Sequence, residues 1–82
     1  MKILCDRSQV DIKLDGRRIK WLVERINEFG INIEYKLLVN LLNNHSDWKL
    51  LYAVGMCKVF QCKLGDLFYL DNQGERINID FI

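Results

Sequence analysis

Residues 41–70 read LLNNHSDWKLLYAVGMCKVFQCKLGDLFYL, a polar knot (Asn43, Asn44, His45, Ser46, Asp47) set between two apolar segments. Before the knot, Leu37, Leu38, Leu41 and Leu42 recur at helical spacing, which predicts a helix over 34–43 with Glu34, Lys36, Val39, Asn40 and Asn43 elsewhere on its surface. After it, Ser46 or Asp47 is a suitable cap for a helix over 47–60, with Trp48, Leu51, Tyr52, Gly55, Met56 and Val59 turned inward. A tight connection at Gln61–Lys63 leads into a short helix over 64–69. The knot therefore joins two helices. It is either a plain helix stop followed by the next helix's cap, or the exposed end of a surface that reads a partner.

Toward the N-terminus, VDIKLD alternates apolar and polar residues, the period-two sign of a half-buried strand over 10–14, and KIL near the start suits a second short strand. Asp15 then stands where an N-cap is expected, ahead of GRRIKWLVERINEF. Ile19, Leu22, Val23, Ile26 and Phe29 form one stripe of a helix over 16–29, and Gly30 supplies its left-handed stop. Arg17, Arg18, Lys20 and Arg25 make this the most basic stretch. At the other end, DNQGE is a turn by composition, and RINIDFI alternates again as a strand over 76–82, with Ile77, Ile79 and Phe81 on one face. Strands at both ends suggest that the termini pair, or that one adds to a second copy of the chain. The expected class is mainly α: one compact domain of about four helices with short terminal β-strands.

Eighty-two residues allow one domain, and half of them are hydrophobic, which favours folding over disorder. Twelve Lys plus Arg stand against eleven Asp plus Glu, so net charge does not advertise a polyanionic partner, although a local basic patch still can. No apolar run approaches the roughly 20 residues of a membrane span. Asp6 and Arg7 cut short any signal-peptide core. Three cysteines and one histidine make a poor zinc set, so no metal or cofactor is expected, and the thiols are read as reduced in a cytoplasmic protein. No phosphate loop, carboxylate pair or nucleophile with a marked base is present, so no enzyme is expected. Trp21 and Trp48 read as packing residues and His45 as a loop residue.

The run MCKVFQCKLGDLF, Met56 to Phe68, resembles the end of helix-turn-helix domains of the Cro and lambda-repressor type, which often close with a phrase like I-A-K-A-L-G-V-S-L-D-E-L-F. Met56, Val59, Phe60, Leu64, Leu67 and Phe68 fall on its apolar positions, Lys58 on its Lys, and Cys57 and Cys62 on small core positions. Upstream, LVNLLNNHSDWKL is similar to that family's recognition helix with the loop after it. The likeness covers residues 31–68 and is nearest to small phage or mobile-element regulators. Three departures stand out. Ile26 occupies the family's small Ala position, the segment from Gly30 to Leu38 is a residue or two long, and a strand is expected where the family has its first helix. Either that first helix is missing, or helix 16–29 takes its place and the scanning helix has shrunk into INIE.

The resemblance implies a repressor-like regulator that binds double-stranded DNA as a homodimer, with residues 34–44 in the major groove and the C-terminal strand at the dimer seam. The outward residues of that helix are Tyr35, Lys36, Val39, Asn40 and Asn43; Asn44, His45 and Ser46 follow toward phosphate, and Lys49 and Arg17 or Arg18 reach flanking phosphates. The alternative is a phage-type protein–protein module that modulates another regulator or a host defence protein. Near-zero net charge, Glu34 at the start of the reading helix and apolar Val39 favour it. A third reading, a small-molecule or redox switch through Cys5, requires that thiol to be exposed.

Overall fold

The structure is a computed structural model that describes residues 1–80; Phe81 and Ile82 lie outside the described residues. Its elements run β1 (Lys2–Cys5), α1 (Arg7–Leu14), α2 (Ile19–Glu28), α3 (Tyr35–Leu42), α4 (Leu50–Phe60), α5 (Leu64–Leu67), β2 (Phe68–Asn72) and β3 (Glu75–Asn78). The chain is mainly α with one small antiparallel sheet, as expected, but with five helices among the described residues rather than about four. No described helix is long and apolar enough to cross a membrane. The core gathers Val10 and Leu14 of α1, Leu22 and Ile26 of α2, Leu38, Leu41 and Leu42 of α3, Ala53 and Met56 of α4, and Trp48, Leu67 and Phe68. Trp48 meets Phe68 edge-on with ring centroids 4.7 Å apart, and Trp21 tilts against Phe60 at 6.2 Å, so both tryptophans pack as the sequence suggested.

The expected strand over 10–14 is a helix. Val10 and Leu14 are buried one helical turn apart, while Ile12 between them is 67% exposed. The apolar alternation was therefore an i, i+4 pair with one stray surface isoleucine. Arg7 and Asp11 hold the same spacing as an ion pair at 2.9 Å on the outer side. Asp15 does not cap the next helix. It ends α1 in the left-handed conformation (φ 51°), Gly16 follows at φ 82°, and α2 starts only at Ile19 with Arg18 as N-cap. A helix therefore stands ahead of α2, where a strand was expected.

Other boundaries move less. The N-terminal strand lies where KIL placed it, and α4 begins at Leu50 with Lys49 as N-cap, so neither Ser46 nor Asp47 caps it. Leu51, expected inward, is 58% exposed. Among the described residues the first and last strands do not pair with each other. β2, read as the end of a helix and the start of a turn, lies between them, with Lys2 opposite Asp71 on one side and Asp71 opposite Arg76 on the other. The turn closes through Gln73 (φ 53°) and Gly74 (φ 89°), two left-handed residues whose twist suits a tight hairpin. β3 is shorter than the expected 76–82; its two final residues fall outside the described part. Gly65 is required inside α5, because a Cβ there would run into the backbone carbonyl of Ile79.

Candidate nucleic-acid interface

Two consecutive helices and their connection position the candidate surface. α2 ends at Phe29 and Gly30, with Gly30 left-handed at φ 84°. Ile31 and Ile33 are buried, so residues 29–34 are anchored to the core rather than looped into solvent. Asn27 fastens this connection. Its Nδ2 donates to the carbonyls of Val23 (2.8 Å) and Ile33 (3.1 Å), and its Oδ1 accepts from the Ile33 amide at 3.4 Å. The sequence reading passed over Asn27 as one more polar residue; an Asn three positions before a helix-ending Gly was its one signal.

α3 divides into two faces. Leu38, Leu41 and Leu42 are buried, while Tyr35 (55% exposed) and Lys36 face solvent and Val39 and Asn40 are half-buried beside them. Spacing puts Lys36, Asn40 and Asn43 in one row and Tyr35 with Val39 in the next. A shallow groove of about 520 Å³ lies where α3 begins, lined by Arg18, Ile19, Lys20, Val23, Glu24 and Tyr35. It brings Arg18 and Tyr35 together, two residues singled out from sequence, and adds Lys20. The cations outnumber the single acid there, so the groove leans positive.

The remaining candidates are distributed differently. Arg17 folds back on its own chain: Nε donates to Leu14 O at 2.8 Å, Nη2 to Lys13 O at 3.0 Å, and the guanidinium lies 4.0 Å from the Trp21 ring centroid. It thereby satisfies the last carbonyls of α1, while Arg18 beside it points outward. Asn43 is exposed, and its Oδ1 accepts from Arg7 Nη1 at 2.9 Å. Asn44 is a fastener. It is left-handed at φ 58°, its Oδ1 accepts from the Cys5 amide (2.9 Å) and its Nδ2 donates to the Cys5 carbonyl (3.0 Å). The amide of His45 donates back to Asn40 O at 2.8 Å and that of Asn44 to Leu41 O at 3.0 Å, the paired bonds of a Schellman helix stop. His45 is otherwise exposed, Ser46 half-buried, and Lys49 exposed at the head of α4.

The polar knot is thus half helix stop and half surface. Its centre, Asn44, ties α3 to the first strand, and its neighbours remain open to solvent. Cys5 is 2% exposed, and burial first, then the charge of Asp6, pushes its thiol up to about 12. The exposed thiol that a switch through Cys5 requires does not exist. Cys57 and Cys62, expected as core thiols, are only half-buried. Among the described residues no group of three or more His, Cys, Asp or Glu could hold a metal ion. Compared with family models, with curated proteins and with solved structures, the chain has no match.

Proposed function

We propose that this chain is a sequence-specific regulator of the Cro and lambda-repressor type that binds double-stranded DNA in the cytoplasm as a homodimer. α3 would enter the major groove, with Tyr35, Lys36, Val39 and Asn40 near base edges and Arg18, Lys20 and Lys49 near phosphates. The observation that carries this reading is the solvent-facing side of α3, whose entry is fixed by the Asn27 clasp and flanked by the positive groove at Arg18 and Lys20. Eight residues of helix are about 12 Å long, close to the width of the major groove. α1 also supplies the helix ahead of the α2–α3 pair that such domains have. Because Asn44 and Arg17 spend their side chains internally, the reading rests on the other residues. β3 lies at one edge of the sheet, so pairing it with a second copy is the proposed dimer seam.

Selection from a random duplex pool at near-physiological salt tests the reading. An inverted repeat with half-sites about one helical turn apart is the expected product. Binding to that site should weaken with salt at a slope set by about 3 to 5 phosphate contacts per dimer. Asn40→Ala should cost about 1–3 kcal/mol on the selected site and relax discrimination at one position. Unchanged specific binding by that variant would show that α3 does not sit in the groove in this register.

One observation favours a second reading. Leu50 (67%), Leu51 (58%) and Val54 (40%) leave an apolar strip exposed along α4, which suits a protein–protein module. Such a contact would hardly respond to ionic strength, whereas DNA binding would fall steeply.

A further inference from the structure

The end of α4 places two thiols side by side. Gln61 adopts φ 52°, its amide returns to Lys58 O at 3.4 Å, and the amide of Cys62 returns to Cys57 O at 3.1 Å. This is the same stop that ends α3, and in it the residue after the left-handed one packs against the residue five positions back. Here both of those residues are cysteines, and the backbone bond between them sets both at one groove. Side-chain contact in this motif is ordinary packing; two facing thiols that are also reachable are not. Both are half-buried and line an open groove of about 410 Å³, together with apolar Val54 and Leu64 and the cations Lys58 and Lys63.

We propose that Cys57 and Cys62 form a reversible intramolecular disulfide, closed by exchange with a small anionic disulfide that enters this groove. The backbone already brings residue 62 back beside residue 57, so closure requires side-chain rotation rather than a new loop. Lys58 and Lys63 favour a reagent bearing carboxylates. Cys62 attacks first: burial raises both thiols, but nearby Lys13 opposes the rise at Cys62, whereas burial and the charge of Cys62 push the Cys57 thiol up to about 12. The Cys62 thiolate displaces one thiolate from the reagent and forms a mixed disulfide. Cys57, giving its proton to a released thiolate, then attacks the Cys62 sulfur and expels the second. Two protein thiols and one small disulfide become one protein disulfide and two small thiols, with two electrons passing to the reagent. Cys5, buried at the end of β1 and absent from that groove's lining, takes no part.

The test equilibrates the folded chain with oxidised and reduced glutathione, quenches with acid, alkylates after denaturation and weighs the intact protein. The expected product has lost two hydrogens, carries a single alkyl group on Cys5, and reverts with a dithiol reductant. Its rate of formation should rise about tenfold per pH unit from neutrality upward, because only the thiolate attacks. Cys57→Ser should stop at one glutathione held by Cys62, and Cys5→Ser should close normally. A wild-type chain that stays reduced, stalls with glutathione attached, or bonds through Cys5 would reduce the pair to packing.

Discussion

Asn44 carries two separable loads at one residue. Its backbone is left-handed, and its amide satisfies both the N–H and the C=O of Cys5, thirty-nine positions away. Asparagine meets both demands, because its short side chain tolerates that backbone and offers a donor and an acceptor. Two substitutions pull the demands apart. Asn44→Gly keeps the backbone and deletes the clasp, and should cost about 1–3 kcal/mol from two lost hydrogen bonds and the stranded Cys5 groups. Asn44→Ala should cost about 1 kcal/mol more, the left-handed penalty of a Cβ. Urea unfolding of the three proteins would measure both. Equal stability of Asn44→Gly and the parent would show that the clasp contributes nothing.

Among the elements, the α2–connection–α3 unit relies on Asn27 as β1 relies on Asn44. Asn27→Ala should speed hydrogen exchange at the Ile33 amide and destabilise the chain by about 1–2 kcal/mol, since it frees three backbone groups at once. If exchange at Ile33 is unchanged, its burial alone fixes the connection. This fastening was illegible in the sequence, where Asn27 reads as a surface residue. What was legible follows from periodicity. α2, α3 and α4 were found because their apolar residues repeat every three or four positions. In α1 the buried pair Val10 and Leu14 flank the exposed Ile12, so the same letters fit a strand equally well. β2 was hidden because Phe68, Tyr69 and Leu70 continue the apolar run of α5, and only a partner strand distinguishes the two. The candidate surface was legible to the same extent. The outward row of α3 follows from the wheel, but the engagement of Asn44 depends on the distant first strand, and that of Arg17 on where α1 ends just before it.

At the scale of the whole molecule, the sheet and the helices are joined at Asp6. Its carboxylate accepts from Ser8 Oγ at 2.6 Å and from Arg76 Nη2 at 3.1 Å, and Arg76 lies 4.2 Å from the Tyr69 ring centroid. The Ser8 hydrogen bond foremost, with that of Arg76, holds the carboxyl below its ordinary value. A group shifted this way stabilises the fold above the unfolded value of about 3.9 and loses that contribution as pH falls through the lower folded value. Asp6→Asn should therefore flatten the acid side of a stability–pH curve below about pH 4 and leave the neutral plateau's slope unchanged. An acid limb as steep as the parent's would place the sensitivity elsewhere. The strand order has a consequence in time as well. Among the described residues β1 pairs with β2 alone, Lys2 meeting Asp71, so during synthesis residues 2–5 must wait for residues 68–72 before they find their place. Helices α1 to α4 can form from near neighbours meanwhile, but β1 stays an unpaired strand with free amides until Phe68–Asn72 emerges. The strand order thus builds an interval of exposure into synthesis, and a pause in translation between residues 60 and 68 would prolong it.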